Sequence, residues 1–307
     1  MKKRIIDAHS HIGVDRFFRF QGKLQEYVEE CKEIGVTDSL LMPTPCPVIS
    51  CNGKSIIPLV WEYTNQHFSF YQEEIGGKRT AVEDNPYCLA NKLLQSSINH
   101  MKNIGVNLLF VPLVHPKYDT IEYLDMLLQD KPIAIKLHGI SSAFSPYDVS
   151  HEFWSIIRKY DIPIIVHTDY DNTDSNTPLT KLRNLNCPLD WIKVLTSQHI
   201  RALLTHGVRL CEESSRLINE SDNFIVGIGP DSLISSERER LYRDKDYLKT
   251  LFSMVDIDKL VFDIDYPWNV KDNHLDFNSI NRIKSLDLCD SDFNKVLCQN
   301  AIRFFNI

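Results

Sequence analysis

Two histidines close the first apolar run of the chain, IIDAHSHIG, as His9 and His11. Residues two apart on a strand face the same way, so these imidazoles can converge on one cation. Four later apolar runs end in side chains suited to the same site. They are IAIKLHG with Lys136, IPIIVHTD with His167, RALLTHG with His206 and KLVFDIDYPW with Asp265. Imidazole and carboxylate are common ligands of divalent metals, and a carboxylate beside such an ion can also take a proton from water. The set therefore points to one or two divalent ions activating water, the chemistry of a hydrolase or a related lyase.

Within the last run, Asp263 and Asp265 alternate onto one face. Asp265 is the expected inward group because it lies nearer the strand end, just before Pro267 stops the strand. Lys136 follows Ile-Ala-Ile and is expected to be buried. A buried ammonium is costly, so it must be paired, deprotonated or modified. It could anchor a substrate carboxylate, neutralise Asp265, or carry a carbamate that bridges two metals. His138 shares the face of Lys136 and is expected to line the pocket with Arg209 and Trp268. Arg16 and Arg19 also lie near predicted strand ends but read as surface charge. His67, His100, His115, His151, His199 and His274 read as surface or structural.

The elements that must position these groups are eight apolar runs, at 4–9, 37–42, 106–113, 133–138, 162–167, 201–206, 223–228 and 259–264. Helical patterns separate them. In the first, Leu24, Tyr27, Val28, Cys31 and Ile34 recur at helical spacing, and Gly35 sits where a C-cap glycine belongs. Several runs are apolar without alternation, as in a parallel sheet covered on both faces. The reading is an α/β chain folded as a (β/α)8 TIM barrel, whose strand ends converge at one mouth. Such a barrel takes about 250 residues, so the 307 residues fit one domain, 1–307, with an insertion. The insertion is 44–100, far longer than an ordinary βα connection. It follows the second strand, is rich in aromatic residues, contains a predicted helix at 87–103, and reads as a lid over the mouth or as a plain surface insertion. An open doubly wound sheet would carry a glycine-rich turn after the first strand, where this chain has His-Ser-His-Ile-Gly.

Composition narrows the partners. The net charge of −7 gives no electrostatic reason for nucleic-acid binding. No run approaches the ~20 apolar residues of a membrane span. After the opening KKR, only Ile5 and Ile6 precede Asp7, too little for a signal peptide. The eight cysteines form no C-x-x-C pair and read as reduced thiols, hence a cytoplasmic protein. Cys46 and Cys51 flank a short loop that could pair them. The expected partner is a small-molecule substrate, and a homo-oligomer is left open.

Taken together, DAHSHIG, IKLHG, VHTD, HIRALLTHG, FDIDYPW and the ending VLCQNAIRFFNI resemble the amidohydrolase superfamily. The likeness is closest to its amidohydrolase-related branch, which includes aminocarboxymuconate-semialdehyde decarboxylase. It spans positions 4–307 and is weakest over 44–100. The resemblance implies one divalent metal, usually zinc, on His9, His11, His167 and Asp265. His206 would orient water or polarise the scissile group, and Asp265 would shuttle the proton. In binuclear members, the residue matching Lys136 is carbamylated and bridges two ions. Asp263 departs from the pattern, since the branch usually has a small residue there. The leading function is hydrolysis of a C–N or C–O bond in a small polar or anionic molecule. The alternatives are non-oxidative decarboxylation of an aromatic or enoic acid on the same site, and a catalytically inactive, metal-free binding protein. A metal-dependent deoxyribonuclease of the superfamily would carry glutamate where this chain has Lys136.

Overall fold

The structure is a computed structural model that describes residues 3–16, 21–51, 53–65, 67–101, 104–168, 185–229, 247–268, 270–271, 274–275 and 278–307. Each of the eight expected barrel strands is present: β1 (Ile6–Asp15), β2 (Asp38–Pro43), β3 (Asn107–Phe110), β4 (Ile135–Leu137), β5 (Ile164–Val166), β6 (Ala202–Leu204), β7 (Phe224–Gly227) and β8 (Leu260–Val261). β1, β2 and β3 pair in parallel. Leu113, just past β3, bridges to Lys136 of β4. β4 to β8 then pair in order, all parallel. Beyond β8 the chain runs alongside β1. The amide of Ala8 donates to Phe262 O (3.0 Å), Asp265 N–H to His9 O (2.7 Å) and His11 N–H to Tyr266 O (2.7 Å). This ladder closes the ring, and the fold is a TIM barrel.

Helices cover the outside: α1 (Leu24–Ile34), α2 (Cys88–His100), α3 (Ile121–Gln129), α4 (His151–Tyr160), α5 (Pro188–Ser197), α6 (Glu212–Asn219), α7 (Tyr247–Met254) and, after a π turn at Lys295–Gln299, α8 (Asn300–Phe305). Local chemistry sets their ends. Thr120 and Ser150 cap α3 and α4 by accepting from Tyr123 N–H and Phe153 N–H, and Gly35 ends α1 at φ 84°. Two apolar layers result. Ile135, Leu137, Val166, Leu204 and Val226 point out to the helices, burying residues such as Trp191 and Phe153. Leu40, Met42, Ile165, Leu203, Ile225 and Val261 point in, and Phe304 and Phe305 pack against that inner cluster. Each such burial is worth about 1.5–3 kcal/mol.

A β-bulge decides which way the first histidines face. In the β1–β2 register Asp7 pairs with Ser39 but Ser10 pairs with Leu41, so β1 carries one extra residue between them. Ile6 and Ala8 belong to the inner layer, and simple alternation from them would turn His9 and His11 outward. The extra residue reverses the phase, and His11 pairs with inward Met42.

The stretch after β2 is more ordered than an irregular insertion. Strands Pro47–Cys51, Lys54–Thr64, His67–Glu74 and Lys78–Thr80 form an antiparallel sheet. Its first strand pairs with Val14–Asp15 at the far end of β1. Trp61 Nε1 donates to Ile140 O (3.0 Å) and Ser141 O (3.1 Å), just past the end of β4. The predicted helix at 87–103 is α2. No helix among the described residues is long and apolar enough to cross a membrane.

Candidate metal centre

β1 and β8 bring three ligand-type side chains together. One donor atom from each of His9, His11 and Asp265 lies within 4.8 Å of the others, and all three residues are buried. His9 Nε2 and His11 Nε2 are 3.0 Å apart, and Asp265 Oδ1 is 3.6 Å from His11 Nε2. Two nitrogens at about 2.0–2.1 Å from one zinc, near tetrahedral angles, would stand about 3.3 Å apart, so the pair fits one ion. The other His11 nitrogen, Nδ1, lies 3.0 Å from Pro43 O, which as acceptor fixes the proton on Nδ1 and leaves Nε2 for a metal.

Asp7, which sequence reasoning did not single out, braces this arrangement. Its fully buried carboxylate accepts from Ile264 N–H (2.8 Å) on the β8 side and from His9 N–H (3.2 Å) on β1. It also accepts from Tyr27 of α1 and from Ser39 Oγ (3.1 Å) of β2. One carboxylate thus ties both ligand-bearing strands to a helix and a third strand. A lone acid inside IIDAH was the available signal, since an acid between apolar strand residues needs buried partners.

Lys136 lies among the ligands, fully buried, with Nζ 2.8 Å from His9 Nε2. Burial pushes its amine down to about 7 against the pull of Asp265 and Asp263. Burial, followed by the positive Lys136, holds His9, His11 and His138 well below the usual histidine range. These imidazoles are therefore neutral near pH 7, the form that binds metal.

The other side of the mouth carries His167, at the end of β5, and His206, after β6. His167 Nδ1 is 2.9 Å from His206 Nε2, and the His167 ring stacks on His138 with centroids 4.1 Å apart. His206 reaches the first cluster through Asp265, with Nε2 3.9 Å from Oδ2. Its backbone is left-handed, φ 60°, and so is that of Asp265, φ 56°. Such non-glycine conformations persist where surrounding contacts impose them. Trp268 meets His11 edge-on, centroids 4.9 Å apart, and walls the site.

The structure thus gathers His9, His11 and Asp265 into one ligand group, with His167, His206, Lys136, His138 and Trp268 around it. Arg209 lies in the His206–Leu210 turn, and the position of its side chain lies outside the described residues, as does Arg19. Arg16 pairs with Glu73 of the insertion (3.6 Å). His115 is fully buried, with Nε2 3.0 Å from Ser142 O, a structural role. Cys46 is buried with Sγ 3.9 Å from Ser141 O, and burial raises its thiol far above the reactive range.

A parallel barrel with metal-ligand side chains at its strand ends defines a class of enzymes rather than one activity. The sequence profile of the Amidohydrolase family matches residues 100–307, and the chain belongs to that family. Its members are metal-dependent hydrolases and decarboxylases, and the ligand cluster fits that metal dependence. By fold, the chain is similar to 5-carboxyvanillate decarboxylase from Sphingomonas paucimobilis, with TM-score 0.63, 10% identity and 99% of each chain covered. It is also similar to L-hydantoinase from Arthrobacter aurescens, at TM-score 0.55 and 12% identity over 98% of this chain and 70% of that one. The phosphotriesterase homology protein of Escherichia coli matches at TM-score 0.51 and 13% identity over 99% of each chain. A search of curated proteins finds no match.

Proposed function

We propose that this chain is a metal-dependent hydrolase of a C–N or C–O bond in a small polar or anionic molecule. The observation that carries this reading is the buried group of two neutral imidazoles and a carboxylate at the barrel mouth. His9, His11 and Asp265 would hold one divalent ion, with His167 as a further donor, and this nitrogen-and-oxygen set suits zinc. When bound, the ion would acidify water and polarise the scissile group. Asp265 touches both the ligand cluster and His206, so it is placed to take a proton from water and return it to the leaving group. His206 is placed to hold the scissile oxygen as charge develops on it.

Lys136, His138, Arg209 and Trp268 are the substrate-facing set. Burial pushes the Lys136 amine down while Asp265 and Asp263 pull it up, and its charged form suits a carboxylate-bearing substrate. Its neutral fraction is also what carbamylation requires, so a second ion bridged by Lys136 is the binuclear form of the same reading. The insertion sheet, fixed by Trp61 beside the end of β4, acts as a lid in this scheme. The chain works in the cytoplasm as a single domain and engages neither nucleic acid nor membrane.

A second reading, non-oxidative decarboxylation of an aromatic or enoic acid, uses the same residues with Asp265 or His206 protonating carbon. It is supported by the likeness in fold to 5-carboxyvanillate decarboxylase over 99% of both chains. Zinc- or manganese-loaded protein would be screened on lactones, cyclic amides and aromatic acids, with carbon dioxide measured against acid or amine. Ring or amide opening without carbon dioxide supports the hydrolase. Carbon dioxide from an aromatic acid replaces it with the lyase, and turnover of neither class refutes both.

A further inference from the structure

Two residues inside the barrel fit one another and no step of the scheme above uses them. Asp263 is fully buried, points inward one pleat below Asp265, and accepts through Oδ1 from the Gly229 amide. Its Oδ2 is buried and makes no hydrogen bond, and 3.8 Å away stands His9 Nδ1, also buried and without a hydrogen bond. A buried donor and a buried acceptor left unmade each cost about 1–3 kcal/mol, so the two are complementary. Space for the carboxylate comes from β7. A Cβ built on Gly227 would stand 2.4 Å from Asp263 Oδ2 and 2.9 Å from its Cγ, closer than side-chain atoms approach. Every larger residue at 227 would collide with it.

We propose that Asp263 is a positioning residue of the metal centre, accepting the Nδ1–H of His9 so that Nε2 is presented to the ion, and that Gly227 is glycine to admit this carboxylate. The inference rests on the metal-centre reading. Asp265 Oδ1 is also near His9 Nδ1, at 3.5 Å, but it lies 3.6 Å from His11 Nε2 as well, on the ligand side. Asp263 has no such second task, and a carboxylate behind a ligating imidazole fixes its tautomer and raises its basicity. Gly227 and Asp263 then form a matched pair on neighbouring strands, and the carboxylate acts through His9.

The test is zinc affinity, read by competition with a chromophoric chelator, on wild type and Asp263→Asn, with thermal melting to establish folding. Wild type that takes up no zinc refutes the metal centre itself. Where wild type binds, the proposal expects Asp263→Asn to bind about 10–100-fold more weakly. Equal affinity overturns it. A readout that needs no variant is nitrogen NMR of histidine-labelled wild-type protein loaded with zinc. The expected spectrum has His9 coordinated through Nε2 with a slowly exchanging proton on Nδ1. Coordination through Nδ1, or a proton on Nε2, refutes the proposal even if Asp263→Asn does not fold. Gly227→Ala, which displaces the same carboxylate, is expected to weaken zinc similarly and to add little to Asp263→Asn.

Discussion

The two sides of the barrel mouth are built differently. On the β1–β8 side, His9 and His11 stand on β1, and Asp265, in the segment past β8, is tied to β1 by backbone hydrogen bonds and by the Asp7 clamp. On the β5–β6 side, His167 and His206 sit past the last paired residues, Val166 and Leu204, where His167 N–H donates to Leu137 O (3.2 Å), Thr205 N–H to Val166 O (3.1 Å), and the two rings meet each other. Thr168 Oγ1 donates to Thr205 O (2.5 Å) and Thr168 N–H to Thr205 Oγ1 (3.4 Å), where the other side has the Asp7 clamp. In the proposed scheme the ligands His9, His11 and Asp265 stand on the seam clamped by Asp7, and His167, the further donor, stands with His206 across the mouth. Rigid elements hold a first shell better than loops do.

Substitutions on the two sides should therefore differ in kind. His206→Ala is expected to lower kcat on the order of 10³-fold, about 4 kcal/mol of barrel-mouth chemistry, while zinc content stays at the wild-type level. Equal loss of zinc and rate would erase the distinction between the sides. Asp7→Ala should cost about 4 kcal/mol of folding free energy, because it strands the Ile264 amide in the interior and leaves the Tyr27 hydroxyl with Ser39 Oγ alone. Chemical denaturation checks this, and a loss under 1 kcal/mol would mean that the seam does not depend on the clamp.

A pH experiment examines His115 and Asp119, past the end of β3. Burial pushes His115 down to about 4 from 6.5, so the unfolded chain binds more protons below pH 6.5. Its contribution is present above that value and is lost as pH falls towards 4, about 3 kcal/mol in all. Neighbouring Asp119 has the opposite sign. Burial raises it to about 7 from 3.8, so its contribution is present at low pH and lost as pH rises through 7. His115→Gln should leave the Asp119 slope alone, so that stability between pH 4 and 6.5 rises as acid is added. Stability curves parallel to wild type would refute this. The smallest expected effect is Thr168→Val, about 1 kcal/mol of stability, and a clear fall in kcat beside it would place the β5–β6 tie in the chemistry.

The barrel was legible because its strands are short apolar runs punctuated by polar ends, and all eight stand where the runs are. The site was legible as residue types at strand ends. Phase was harder to read. Alternation from Ile6 and Ala8 turns the histidines outward, and only the pairing of Ser10 with Leu41 reveals the extra residue that brings them in. Asp263 and Asp265 share a face, so sequence could not say that one turns to the Gly229 amide and the other to the histidines. Asp7 serves groups from elements far apart in sequence, such as Tyr27 and Ile264, which no local pattern encodes. The insertion was read as irregular, although Phe68 and Phe70 alternate as they do in the hairpin they occupy.

Elemental analysis of purified, zinc-reloaded protein reads out whether the β1–β8 seam holds the metal. About one ion per chain is expected in wild type and in His206→Ala, and none in His9→Ala/His11→Ala. Undiminished metal in the folded double variant would contradict it.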